Sequence, residues 1–146
     1  MDLNPDFSDM LRCLNAQHVE YLVVGSFALA LHGRPRVTGD IDLWVRPSPE
    51  NAARVMRALA DFGMAMPGLS EADFAQPGQI VQLGYPPVRI DLITSITGVS
   101  WEDAWQGRVS GEMGGNPIHF LGVSEFIANK KATGRPKDLG DIDSLG

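Results

Sequence analysis

Three aspartates stand in aliphatic surroundings. Asp40 and Asp42 flank Ile41 in Val37-Thr38-Gly39-Asp40-Ile41-Asp42-Leu43-Trp44-Val45, and Asp91 lies inside Val88-Arg89-Ile90-Asp91-Leu92-Ile93. Residues two apart on a strand project to the same side. Asp40 and Asp42 are therefore expected to point together, with Ile41 and Leu43 turned away. Paired carboxylates on an apolar strand repel each other and lose hydration. A shared divalent cation removes that cost, and oxygen ligands suit Mg²⁺. If the Asp91 strand lies beside the first, three acids converge, the arrangement that holds two metal ions for in-line phosphoryl or nucleotidyl transfer.

A second feature faces this one. Tyr21-Leu22-Val23-Val24 is an apolar run ending in Gly25-Ser26. Glycine lets a phosphate approach the backbone, and helix-start amides with a serine hydroxyl can donate to its oxygens. Strand, Gly-Ser, helix and then two acids on the next strand is a phosphate site facing a metal site.

The elements that must position these groups follow from local signals. Asn4-Pro5 opens a helix over about 5–17 with Phe7, Leu11 and Leu14 on one face. Residues 21–24 read as a buried strand, 26–32 as a helix ended by Gly33, and 41–45 as a second strand. Ser48-Pro49 opens a helix at about 49–62. The Pro- and Gly-bearing stretch 64–78 is expected to be a loop. Strands are expected at 79–84 and 88–93, and a helical turn at 101–106 with Trp101 and Trp105 packed together. A weak strand over 109–112 precedes a turn at 114–117 and a strand at 118–121. A helix follows from Ser124 to about 132, and a last short one starts at Pro136. Strands and helices alternate throughout, so the expected class is α/β or α+β, a mixed central sheet flanked by helices. A single domain over 1–146 is expected, with a C-terminal helical segment at about 124–146.

Composition narrows the function classes. Twelve Lys plus Arg against 18 Asp plus Glu give a net charge of −6, which disfavours coating of long nucleic acid by bulk charge. All three lysines, Lys130, Lys131 and Lys137, fall in one short segment with Arg135. The single cysteine, Cys13, excludes an internal disulfide and fits a reducing compartment. Residues 1–9 hold three Asp and no Lys or Arg, the wrong charge for a signal peptide. No apolar run is long enough to span a bilayer. The expectation is a cytoplasmic protein with no membrane association. His18, His32 and His119 show no ligand spacing with Cys13, so no zinc site is expected.

Val24-Gly25-Ser26, thirteen residues, Asp40-Ile41-Asp42-Leu43 and a later Asp91 between aliphatic residues resemble the polymerase-β-type nucleotidyltransferase superfamily. The segment His32-Gly33-Arg34-Pro35-Arg36-Val37-Thr38-Gly39-Asp40-Ile41-Asp42 is similar to small bacterial nucleotidyltransferases related to the abortive-infection (AbiEii-like) toxins. So is the tail Lys130-Lys131-Ala132-Thr133-Gly134-Arg135-Pro136-Lys137-Asp138-Leu139.

The resemblance implies the nucleotidyltransferase fold and an Mg²⁺-dependent enzyme, with two ions and Mn²⁺ as a possible substitute. An NTP would donate its nucleoside monophosphate to an acceptor hydroxyl on a small molecule such as an antibiotic, a tRNA end or a protein. Gly25 and Ser26 would hold the triphosphate. Asp40 and Asp42 would hold the metals, and Asp91 would be the third ligand and general base. Lys130 or Lys131 would neutralise phosphate, with Arg36 and Lys137 as lesser candidates. A homodimer or partner protein would supply the other wall of the acceptor site. The alternative is a non-catalytic nucleotide-binding or toxin–antitoxin component of the same fold, acting with a partner.

Overall fold

The computed structural model describes residues 4–25, 39–64, 66–85 and 88–134. Helix α1 (Pro5–Ala16) starts where Asn4 accepts a hydrogen bond from the Asp6 amide at 2.8 Å, with Pro5 in the first turn. Its buried stripe of Phe7, Met10, Leu11 and Leu14 follows the helical repeat. Strands β1 (Tyr21–Val24) and β2 (Asp40–Val45) follow, then helix α2 (Pro49–Phe62). Ser48 caps α2 through the Asn51 amide, and Gly63 closes it in the left-handed region at φ 87°.

The stretch 64–78, expected to be a loop, contains a short helix, α3 (Ala72–Ala75), which buries Phe74 against the core. One turn of helix has no repeat from which a stripe can be read. Strands β3 (Ile80–Tyr85) and β4 (Val88–Ile93) lead to helix α4 (Trp101–Gln106), strands β5 (Val109–Met113) and β6 (Asn116–Phe120), and helix α5 (Val123–Thr133).

The expected turn at 114–117 is shorter than the glycines and proline suggest, because Asn116 and Pro117 already belong to β6. Pro117 faces Glu112 of β5, whereas the register with β1 pairs Val23 with Phe120. The proline sits before that pairing, where its missing amide costs no ladder bond. The helix expected at 26–32 and the one from Pro136 lie outside the described residues.

The strand order is β3-β4-β2-β1-β6-β5. β2 runs parallel to β4 and β1 parallel to β6; the other neighbours are antiparallel. The protein is thus a mixed α/β fold around a six-stranded mixed sheet.

Alternation along the strands makes two unlike faces. Tyr21, Val23, Ile41, Leu43, Val45, Ile90, Leu92, Ile118 and Phe120 are buried on one. Helices α1 and α2 cover this face, and the Tyr21 hydroxyl donates to Asn15 of α1 at 2.9 Å. The other face carries Asp40, Asp42 and Trp44 along β2, and Arg89 and Asp91 along β4. There Trp44 meets Trp101 of α4 edge to face at 5.2 Å. Trp101 stacks on Trp105 at 5.4 Å, and Trp105 meets His119 at 5.5 Å. Among the described residues, no helix is long and apolar enough to cross a membrane.

Candidate active site

The parallel register of β2 and β4 brings the acids together. Asp42 lies directly across from Asp91, and Asp40 directly across from Arg89. The Arg89 amide donates to the Gly39 carbonyl at 2.8 Å, which pins this register at the entrance of β2. The expected division of β2 holds: Ile41 and Leu43 are fully buried on the far face, and the two aspartates are half-buried on the near one. The row across the sheet is Gln82, Asp91, Asp42, Val24.

Asp42 is the strained member of the group. Burial, then the charge and hydrogen bonding of Asp91, then the charge of Asp40, push its carboxyl up from 3.8 to about 6, with Arg89 opposing. Near neutral pH Asp42 is therefore held as an anion against its surroundings.

Arg89 relieves part of this charge. Its Nε is 2.9 Å from Asp91 Oδ1, and one terminal nitrogen donates to Asp91 Oδ2 at 3.2 Å and reaches Asp40 Oδ2 at 3.4 Å. Asp91 hydrogen-bonds and attracts the guanidinium, holding the Arg89 pKa above its ordinary value. The 2.9 Å contact is a charge contact without hydrogen-bond alignment, so both buried atoms lack a hydrogen bond. Sequence reasoning missed Arg89. The signal was present, because the two-residue alternation that pairs Asp40 with Asp42 also pairs Arg89 with Asp91.

Gly25 stands at the end of β1 beside Asp42, with φ +70°. A Cβ there would collide with the Asp42 carboxylate. A side chain is excluded both by the backbone conformation and by the acid. Ser26, Arg36 and Lys137 lie outside the described residues. Lys130 and Lys131 occupy the last turn of α5. The Lys130 ammonium lies 5.3 Å from the Phe126 ring centre, and Lys131 is exposed. The acids and Gly25 are thus brought together, and the ring that Lys130 approaches belongs to its own helix.

A divalent cation suits the donor set. The donors are carboxylate oxygens, Asp42 is costly to ionise in these surroundings, and Asp91 Oδ1 is buried without a hydrogen bond. Among the described residues, no group of three His, Cys, Asp or Glu side chains is already gathered in a form that could hold a metal ion. Asp40 and Asp91 are turned towards Arg89.

The fold has a solved counterpart. A crystal structure described as a "putative nucleotidyltransferase" from Thermotoga maritima superposes with a TM-score of 0.57 at 17% identity, over 97% of this chain and 89% of that one. No curated protein matches the chain. The model of the family described as "Nucleotidyl transferase of unknown function (DUF2204)" matches residues 4–146, and the chain belongs to that family.

Proposed function

We propose that the protein transfers a nucleoside monophosphate from an NTP to an acceptor hydroxyl, with Mg²⁺ or Mn²⁺ held by Asp40, Asp42 and Asp91. The observation that carries this reading is the direct facing of Asp42 and Asp91 across parallel strands, with Gly25 against the Asp42 carboxylate. The bound cations would supply positive charge to the α-phosphoryl oxygens and the departing pyrophosphate.

The chain's own residues do the rest. Gly25, with no side chain, would let a phosphate approach the backbone at the end of β1. Ser26, Arg36, Lys130, Lys131 and Lys137 are proposed to donate to phosphate oxygens. The acceptor oxygen attacks the α-phosphorus, the bond to pyrophosphate breaks, and the acceptor proton passes to Asp91. The acceptor is a small-molecule hydroxyl, a tRNA 3′ end or a protein side chain. A second copy or a partner protein supplies the facing wall. The segment from His32 to Asp42 supports kinship with the abortive-infection toxins. A free, buried Cys13 supports a cytoplasmic setting.

One observation favours the competing reading of a non-catalytic nucleotide-binding component working with a partner: Arg89 already neutralises Asp40 and Asp91. The test incubates the protein with NTP carrying label at the α- or the γ-phosphate, Mg²⁺ and cell extract. Transfer of α-label alone to an acceptor supports nucleotidyl transfer. Binding of NTP with no label transferred supports the competing reading, and transfer of γ-label contradicts both.

A further inference from the structure

The acid cluster already contains a cation of its own. Arg89 reaches Asp91 through two nitrogens and Asp40 through one of them, at 2.9 to 3.4 Å. Its backbone is anchored by the bond to Gly39, whereas its side chain is 27% exposed against 9% for Asp91. The carboxylate is the more buried partner, and the guanidinium is the one with access to solvent. A planar guanidinium fork suits phosphate as well as it suits carboxylate.

We propose that Arg89 is a positioning residue that competes with the divalent cation for Asp91 and Asp40. It balances the acids while no metal is bound and weakens metal binding until an incoming phosphate offers it another anion. This rests on the cation reading of the site. Arg89 then couples the two ligands, because whatever draws the guanidinium away from the acids favours the metal.

The test is titration of the full chain with Mn²⁺ and no nucleotide, followed by electron paramagnetic resonance. Arg89→Gln is expected to bind Mn²⁺ about two- to fivefold more tightly than the wild type. Arg89→Lys, which keeps the charge without the fork, is expected to fall between the two. A merely structural role would weaken Mn²⁺ binding or leave it alone.

A folded Arg89→Gln that binds no more tightly than the wild type overturns the proposal. Folding of Arg89→Gln only with Mn²⁺ supports it, because the metal then replaces the guanidinium. If Arg89→Gln folds in neither condition, Arg89→Lys decides: tighter binding than wild type supports, equal binding overturns. Absence of Mn²⁺ binding in wild type and variants alike overturns the cation reading itself. Wild-type binding that is lost in Asp42→Asn but not tightened in Arg89→Gln overturns only the role of Arg89.

Discussion

The two faces of the sheet treat buried polar groups differently. On the side packed by α1 and α2 the demands are met. Asn51 is 2% exposed, yet its amide oxygen accepts from the Glu20 amide at 2.8 Å, and its nitrogen donates to the carbonyls of Glu20 and Arg46 at 3.0 and 3.1 Å. Tyr21 is bonded to Asn15. Among the described residues, the buried side-chain atoms without a hydrogen bond are Asp91 Oδ1, Arg89 Nε, Trp44 Nε1 and Trp101 Nε1. All of them belong to the other face. Native proteins leave few such atoms, and a concentration of them marks a place where something besides stability is served. The helix-packed face holds the fold together, and the acid face carries three clustered carboxylates with one guanidinium among them.

The largest expected effect separates activity from stability on the acid face. Asp42→Asn is expected to lower transfer by about a thousandfold or more. The same change is expected to stabilise the metal-free protein near neutral pH, by on the order of 1–2 kcal/mol, since it removes a disfavoured anion. Transfer assays and denaturant unfolding of the same preparation check both halves. A variant that is inactive and less stable would break the contrast between the faces.

On the opposite face, Leu43→Ala removes a fully buried side chain one residue from Asp42. It is expected to cost about 2–5 kcal/mol in unfolding. Transfer per folded molecule should stay within a few-fold of wild type. Gly25→Ala falls between the faces, because its Cβ meets Asp42 and its φ is +70°. A loss of about 1–3 kcal/mol is expected, together with weaker NTP binding by calorimetry.

The smallest effect is the pH dependence. Asp42 titrates near about 6 in the fold against an ordinary 3.8. The folded state therefore binds the proton more tightly than the unfolded state. The contribution of Asp42 is fully present below about pH 4 and is lost as pH rises to about 6. The stability advantage of Asp42→Asn over wild type should accordingly vanish on acidification through this window, as read by thermal unfolding at several pH values. An advantage that grows on acidification would reverse the assignment.

Much of the fold was legible because local signals were complete. Helix α2 has a serine cap, a first-turn proline and a closing glycine, and its bounds match the expected 49–62. β2 was legible because two acids and two aliphatic residues alternate. The convergence of Asp42 with Asp91 depended on β2 and β4 being parallel neighbours, a long-range pairing that no local pattern dictates. Helix α3 and the early start of β6 at Asn116 escaped for the opposite reason: one turn of helix and a proline-bearing strand contradict the usual local signals. The packing of Trp101 on Trp105 followed from their spacing of four, but their meeting with Trp44 needed the tertiary fold.

The central claim is that the acid face is poised for a divalent cation. The most direct measurement is thermal unfolding of wild type and Asp42→Asn with and without saturating Mg²⁺, near neutral pH. The account predicts that Mg²⁺ raises the wild-type midpoint by about 3–8 °C and leaves Asp42→Asn nearly unmoved. Equal shifts in the two proteins, or none in the wild type, would contradict it.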